Sequence, residues 1–477
     1  MPNSKNISLV VDLDGTLIHS DLLHESLFAF VLKNPTSIFL PFKWLAKGKP
    51  NLKKHLAQVT EIDVANLPYD QRVIKLIKSE RQKGRKIILA TSSHIVYAKQ
   101  IAEHLKLFDY VFATESDINL SAQNKCDKLV KEFGEGGFDY AGNSCDDLAV
   151  WKKSRAAIVV NASKCLVKKA QALGNVEQII PFPKNIFKVW AKALRLHQWV
   201  KNCLIFVPLL ASHELGQDDL LFNGALAFLF FGCCASHVYL FNDLVDLKND
   251  RHHATKRFRP LASGLISATS SLTMSFVLLL IAFVGSFYFL PPRFGLSLVI
   301  YCILTLTYSL VFKRLVMLDI VILAVLYTMR IIAGAFVFDK PLTFWMLAFS
   351  MFIFLSLSLV KRYAELYDQR AQSGKEKTNA RGYLLGDLEM LSSFGASSGY
   401  LSVMILALYL QDELTISLYS HPQIIWFACP LLLYWISRVW MLTHRGQIHD
   451  DPVVFAIKDK VSWLIGVMMA VVFWLAI

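Results

Sequence analysis

Residues 242–260 read NDLVDLKNDRHHATKRFRP and follow a long apolar run, Leu220–Leu240. Asp243, Asp246 and Asp250 stand at i, i+3 and i+7, a spacing that stacks three carboxylates on one helical face. Stacked carboxylates repel unless a cation sits between them, and hard Mg2+ takes carboxylate oxygens together with a substrate's phosphates. Lys256, Arg257 and Arg259 follow directly, residue types that receive phosphate. An acidic face, then a basic cluster, at the mouth of an apolar helix, predicts a magnesium–diphosphate site at a bilayer surface. The plain alternative is a juxtamembrane charged loop without chemistry, which has no reason to keep its acids in register.

The chain around this stretch has 477 residues, 54% hydrophobic and only 18% charged, with a mean hydropathy of +0.42. That balance fits a polytopic membrane protein. The formal charge of +13 comes from basic residues that flank apolar runs. It points to anionic lipid and phosphorylated substrates, not to nucleic acid. The 8 cysteines show no CxxC pair and no Cys/His zinc spacing, so they read as reduced packing residues. The opening MPNSKNISLVVDLDGT has no signal-peptide pattern and enters a strand pattern at once. The first domain is therefore expected on the cytosolic side.

Residues 1–180 alternate strands with helical patterns. Ile7–Val11 is a β-branched run ending in Asp12-Leu13-Asp14-Gly15-Thr16. Ile87–Ala90 ends in Thr91-Ser92-Ser93. Tyr110–Ala113, Phe138–Ala141 (ending GNSCDD, 142–147) and Ala157–Val160 follow. Such alternation predicts a parallel, Rossmann-like α/β sheet, whose ligands sit beyond the carboxyl ends of the strands. Asp12, Asp14, Thr91, Asp146 and Asp147 all fall there.

These motifs, in this order and with Lys125 between them, resemble the haloacid dehalogenase (HAD) superfamily of phosphatases over about residues 7–165. The resemblance implies Asp12 as a nucleophile forming an aspartyl-phosphate and Asp14 as general acid/base. It implies Thr91 and Lys125 on the phosphoryl oxygens, and Mg2+ held by Asp12 and Asp147 with the Asp14 position. One departure stands out: Asn143 replaces the acid that the family carries after the glycine, with Asp146 as the nearby carboxylate that can compensate. An active phosphatase and a degenerate regulatory domain both remain open. Residues 21–70 lie where the family inserts a small helical cap. Within them Ser37–Leu45, SIFLPFKWL, reads either as cap core or as a face that dips into the membrane surface and admits a lipid-linked phosphate.

Residues 181–196 form a linker. Lys184, Lys188 and Lys192 share one helical face opposite Ile186, Phe187 and Trp190, the pattern of an interfacial amphipathic helix. A plain solvated connector is the alternative. Residues 197–477 contain apolar runs of membrane length at Trp199–Leu215, Leu220–Leu240, Leu272–Leu290, Phe294–Phe312, Leu318–Phe338, Phe344–Val360, Phe394–Leu410, Ile424–Val439 and Val461–Ile477. The expectation is an all-α membrane domain of about nine transmembrane helices. Lys and Arg concentrate in the loops after the even-numbered spans, which places those loops and the first domain on the cytoplasmic side of an inner membrane. Charges inside spans mark function: Arg330 sits mid-span, with Asp319 at the start of the same span as its plain structural partner. Tyr308 and Lys313 close the preceding span. Lys361, Arg362 and Glu365 extend the sixth, ahead of a polar loop carrying Arg381 and Tyr383.

The pieces QWVKN (198–202), NDxxDxxxD at Asn242, Asp243, Asp246 and Asp250, and KRYAEL (361–366) resemble the UbiA superfamily of intramembrane prenyltransferases. Aromatic prenyltransferases of that family carry a second paired-aspartate motif in the later loop; here that loop is basic. The resemblance is therefore to the phosphoribosyl-transferring branch, decaprenyl-phosphate phosphoribosyltransferase and its relatives. It implies Mg2+ on Asp243, Asp246 and Asp250. The substrates would be 5-phosphoribosyl diphosphate and a polyprenyl phosphate, met by Lys201, Asn202, Asn242, Lys256, Arg257, Arg259, Tyr308, Lys313, Arg330, Lys361, Arg362, Glu365, Arg381 and Tyr383. A fused phosphatase would remove the 5-phosphate of the product. Two other readings stay open: an aromatic, quinone-precursor polyprenyltransferase with a regulatory head, and a non-enzymatic lipid carrier.

Overall fold

A computed structural model describes residues 7–115, 119–182, 185–214, 216–373, 382–411, 419–448 and 451–477. The chain divides into two compact units: Met1–Leu194 with Tyr239–Met274, and Arg195–Val238 with Ser275–Ile477. By contacts, the aspartate-rich stretch thus groups with the N-terminal unit rather than with the helices that flank it in sequence.

The first unit is built on six parallel strands: β1 Ser8–Val11, β2 Ile87–His94, β3 Tyr110–Thr114, β4 Phe138–Gly142, β5 Ala156–Val160 and β6 Val176–Ile180. Their order is β3-β2-β1-β4-β5-β6, with Leu9 opposite Ile87 and Val10 opposite Tyr140. The near-continuous apolar strands follow from burial on both faces. Leu9, Val11 and Leu89 enter one core, and Val10, Ile88 and Val159 the other. The five expected strands are present within one or two residues, except β2, which runs on through Thr91-Ser92-Ser93 to His94. Strand β6 was not expected: VEQII has two polar residues in five, which suits an edge. The strand order reverses between β1 and β4, and the turns after these two strands carry DLDGT and GNSCDD. A doubly wound sheet opens its ligand crevice at this switch point.

Between β1 and β2 lie α1 Leu22–Lys33, α2 Leu40–Ala46 and α3 Lys49–Val59, which form the insertion, and then helix Gln71–Gln82, which leads back to the sheet. Asp21 caps α1, accepting from Leu23 N at 2.8 Å and His24 N at 3.3 Å. The insertion has its own small core of Phe30, Leu52 and Leu56. The aromatics of SIFLPFKWL divide: Trp44 packs on that core, its ring centroid 5.2 Å from that of Phe30, whereas Phe39 is 73% exposed and Phe42 68%. In the 181–196 segment, Asn185 starts a helix over Ile186–Ala193, and its Phe187 is exposed.

The second unit is helical. Among the described residues of the chain seven helices are long and apolar enough to cross a membrane, or eight if the bent pair Pro452–Lys458 and Lys460–Ala476 counts as one span. They match eight of the nine expected runs. The exception is Trp199–Leu215, which forms a 3-10 segment, Leu196–Phe206, and a short helix, Val207–Ala211. The reason lies in its side chains. Lys201 and Asn202 are buried within the unit, and Pro208 at the start of the short helix removes a backbone donor. The 3-10 segment packs against helix Leu318–Phe338 at Gly334, where a Cβ would stand 1.9 Å from the Ile205 carbonyl oxygen. Only glycine allows that approach.

Candidate active sites

In the first unit, Asp12 and Asp14 leave the end of β1. Lys125, on helix Ala122–Phe133, places Nζ 2.8 Å from Asp12 Oδ1 and donates to the Tyr140 hydroxyl at 2.9 Å. Asp14 Oδ1 accepts from Leu22 N at 2.9 Å, which ties α1 to the site. Its Oδ2 accepts from Ser93 Oγ at 2.6 Å and Thr91 Oγ1 at 3.4 Å. Burial pushes the Asp12 carboxyl up to about 6 against the pull of Lys125. Burial, with the Asp21 carboxylate nearby, pushes Asp14 up to about 7. Both carboxyls are raised by burial, while their partners differ: Lys125 faces Asp12, and hydroxyls and a backbone amide face Asp14.

Asp147, expected beside Asp12 as a metal ligand, has both oxygens engaged by the protein. Oδ2 accepts from Asn143 N and Ser144 N, each at 2.9 Å, and from Ser144 Oγ at 3.1 Å. Oδ1 accepts from the Tyr140 hydroxyl at 2.7 Å. Its geometry shapes the loop. The side chain that lies on the DLDGT turn is that of Asn143, packed against Gly15. Asp146 is exposed. Sequence reasoning missed Lys53: from α3 its Nζ donates to Ser92 O at 2.6 Å and Asn119 Oδ1 at 3.0 Å. It joins the insertion to the end of β2 and brings a buried cation to this site. Its only sequence signal was a lysine inside a short amphipathic helix.

The aspartate-rich stretch is helical but broken. Asp243 lies in helix Asp218–Val245, and Asp246 stands at the break before helix Leu247–His252, which holds Asp250. Asp243 and Asp250 nevertheless converge: Arg259 Nη1 lies 3.0 Å from Asp243 Oδ1 and 2.6 Å from Asp250 Oδ2. The cation between the carboxylates is thus a guanidinium supplied nine residues on. Asn242 and Asp246 are half-buried, Lys256 and Arg257 exposed. No three His, Cys, Asp or Glu side chains among the described residues form a ready-made metal cage. Asp243 and Asp250 converge as hard oxygen donors, a set that fits Mg2+ carried in with substrate phosphates.

The second unit gathers a separate cationic cluster. Lys201 Nζ lies 2.7 Å from Asp451 Oδ2, and Lys361 Nζ 3.3 Å from the same oxygen. The Tyr327 hydroxyl lies 3.2 Å from Asp451 Oδ1. Burial works against the Asp451 carboxylate, yet Lys361 and Lys201 hold its pKa well below the usual range. Arg330 meets Asn202 Oδ1 at 3.2 Å, Leu326 O at 2.5 Å and the Tyr301 hydroxyl at 3.0 Å. Asn202 Nδ2 is a buried donor with no acceptor among the described residues. Asp451 was not anticipated. It stands in QIHDDPVVFAIKDK, a stretch that reads by composition as one more charged loop. The available signal was Asp before Pro at a helix start, and Asp451 indeed caps Val453.

The plain alternative for Arg330, a structural pair with Asp319, does not hold. Eleven residues apart on one helix, they are separated by about 16 Å along its axis. Asp319 pairs with Arg362 at 2.5 Å and accepts from the Tyr383 hydroxyl at 2.6 Å, and Arg362 also pairs with Glu365. Arg362 and Tyr383, expected at the substrate, thus meet in a buried cluster around Asp319, with the partly exposed Glu365 on the other side of the guanidinium. Tyr308 ends helix Pro292–Leu310 and Lys313 lies in the following turn, both half-buried. Arg381 lies outside the described residues.

A parallel α/β unit with clustered carboxylates at its switch point, joined to a domain of long apolar helices and an aspartate-rich stretch, has the organisation of a membrane-embedded enzyme. The chain belongs to the UbiA prenyltransferase family, whose model matches residues 203–458. It is 37% identical to an uncharacterized protein of Sinorhizobium fredii over 99% of this chain and 91% of the relative. It is 34% identical to nodulation protein NoeC of Azorhizobium caulinodans over 60% of this chain and 93% of that one. With decaprenyl-phosphate phosphoribosyltransferase of Mycobacterium tuberculosis the identity is 30%, over 61% of this chain and 97% of the relative.

Proposed function

We propose that the membrane domain joins 5-phosphoribosyl diphosphate to a polyprenyl phosphate with release of diphosphate, and that the N-terminal unit then removes the product's 5-phosphate. The observation that carries the reading is the pair of lysines on one carboxylate oxygen, Lys201 and Lys361 on Asp451, beside the unsatisfied donor of Asn202. A prenyl diphosphate brings one charged group, which the aspartate loop can hold. A phosphosugar donor and a lipid phosphate bring further phosphates, and a second cationic site suits them. The likeness to decaprenyl-phosphate phosphoribosyltransferase supports the same choice.

In this reading Asp243, Asp246 and Asp250 would hold Mg2+, which would supply charge neutralisation to the diphosphate leaving group. Arg259, which bridges Asp243 and Asp250, adds a guanidinium for the diphosphate oxygens. The C1–O bond to diphosphate breaks with oxocarbenium character, and an oxygen of the lipid phosphate forms the new bond to C1. Lys201, Lys361 and Arg330 position and screen the phosphates; no protein nucleophile is required. In the head, Asp12 attacks the 5-phosphate phosphorus while Asp14 protonates the departing ribose oxygen. Water then attacks the aspartyl-phosphate and gives its proton to Asp14. Asp12, Asp14 and the neutral Asn143 would hold Mg2+ there, with Asp147 supporting the loop and Thr91 and Lys125 on the phosphoryl oxygens. Both sites are assigned to the cytoplasmic side of the membrane.

The test supplies purified full-length protein in turn with 5-phosphoribosyl diphosphate plus polyprenyl phosphate, and with a prenyl diphosphate plus an aromatic acceptor. The first pair should react and Asp12→Asn should leave the 5-phosphate on the lipid product. Reaction of the second pair alone overturns the donor assignment, and an unchanged product in Asp12→Asn overturns the role of the head.

A further inference from the structure

The N-terminal unit contains a contact that neither proposed reaction uses. Arg251 follows Asp250 directly. Its Nη1 and Nη2 lie 2.7 and 2.5 Å from the two carboxylate oxygens of Glu25 in the first turn of α1. Both side chains are about 10% exposed, and Arg251 Nε donates to Ala262 O at 3.2 Å. One guanidinium therefore grips the phosphatase insertion with one edge and the far side of the aspartate-rich loop with another. Three more contacts hold the same segment. His252 Nε2 lies 2.9 Å from Asp63 Oδ2. Lys192 Nζ donates to Phe258 O at 3.2 Å. Gly264, at φ +74°, approaches so closely that a Cβ would stand 2.5 Å from His19 Cβ.

A fork-to-fork Arg–carboxylate pair fixes direction as well as distance. With few alternatives for either charge in so closed a place, it fixes the backbone of residue 251 and hence of its neighbour Asp250. It also fixes the 251–262 turn, which carries Arg259 back to Asp243 and Asp250. The same α1 donates its first amide, Leu22 N, to Asp14.

We propose that Glu25 is a positioning residue for the membrane transferase: by clamping Arg251, the phosphatase insertion holds the aspartate-rich loop in the shape that receives metal–diphosphate. This rests on the transferase reading above and deepens it. The phosphatase unit is then a structural part of the transferase site, whatever its own turnover.

The experiment uses the full chain as wild type, Glu25→Gln, Arg251→Gln and the exchanged pair Glu25→Arg/Arg251→Glu. Hydrogen exchange over residues 247–262 is read first, because it needs no substrate. It should quicken in both single variants and recover in the exchanged pair, while exchange in β1 and β4 stays at the wild-type rate and reports an intact fold. The Mg2+ concentration for half-maximal transfer should rise roughly 10-fold in the single variants, the scale on which groups behind metal ligands act. Hydrolysis of a small phosphate monoester should be unchanged. Unaltered exchange over 247–262 in Glu25→Gln sinks the clamp, whatever the substrates. Faster exchange with an unshifted Mg2+ requirement leaves a clamp that does not position the metal site, and overturns the proposal too. Absence of transfer in the wild type counts against the transferase reading alone, since the exchange result stands without it.

Discussion

Lys201 Nζ lies 2.7 Å from Asp451 Oδ2, two residues 250 positions apart and both nearly buried. Lys361 reaches the same oxygen. Removing the carboxylate leaves two ammonium groups facing each other in a closed site, and a broken buried ion pair is costly because the surviving charges stay desolvated. Asp451→Asn is expected to lower stability by about 3 kcal/mol and to raise the KM for the phosphosugar donor, because the lysines lose their set positions. Denaturation in detergent and donor titration check both; an unchanged KM would remove this cluster from the substrate site.

Arg362 and Asp319 make a different kind of pair, with side chains only 2% and 0% exposed and Tyr383 completing the cluster. Arg362→Ala should destabilise the protein by about 3–5 kcal/mol, whereas an apolar replacement of both charges should be far milder. Thermal unfolding of the single and double variants checks this. Equal losses in the two would point to a substrate role for Arg362 instead.

The exposed Phe39 and Phe42 lie close to Lys43 and Lys47 in sequence. Aromatic side chains beside lysines suit the headgroup region of a bilayer. A Phe39→Ser/Phe42→Ser variant should dephosphorylate a soluble phosphate monoester as well as wild type does, but be several-fold slower on a phosphorylated lipid in vesicles. Equal slowing on both substrates would show that the change damaged the site and not its access to lipid.

Asp70 caps helix Gln71–Gln82, accepting from Arg72 N, and also accepts from the Arg72 guanidinium and Asn161 Nδ2. Burial alone would raise its pKa, but the hydrogen bonds from Arg72 and Asn161 hold it down to about 2. A carboxyl lowered in the folded state stabilises fully above its unfolded value of about 3.9. That contribution, about 2 kcal/mol, is lost as pH falls from about 4 toward 2. Asp70→Asn should therefore lower stability at pH 7 and flatten its fall below pH 4, as read by hydrogen exchange at the β1 and β4 amides.

The N-terminal fold was legible because strand period and ligand position are coupled: three of the apolar runs end in candidate site residues, Val11 in Asp12, Ala90 in Thr91 and Ala141 in Gly142-Asn143. The convergence of Asp243 and Asp250 was legible from spacing, but the Arg259 bridge was not, because a turn between elements leaves no periodic trace. The first expected span failed at Lys201 and Asn202. Hydropathy averaged them into an apolar window, while the fold uses them as inward-facing polar groups. Asp451 escaped because a capping aspartate and a loop aspartate look alike until the lysines that face it, 250 and 90 positions away, are brought together. The contacts of Arg362 and Tyr383 with Asp319 were not legible, because nothing local to the helix end or to the polar loop announces a partner 43 or 64 positions away.

The most direct measurement of the central claim follows ribose label from 5-phosphoribosyl diphosphate into lipid. Purified full-length protein, Mg2+ and polyprenyl phosphate in vesicles are used, with diphosphate release recorded in parallel. Wild type should place label in lipid with one diphosphate released per ribose transferred. Asp243→Asn and Mg2+ removal should each abolish both signals while hydrolysis of a soluble monoester by the Asp243→Asn protein persists. Label in lipid that is undiminished in Asp243→Asn, or no label in wild type under conditions where a prenyl diphosphate reacts, would contradict the account.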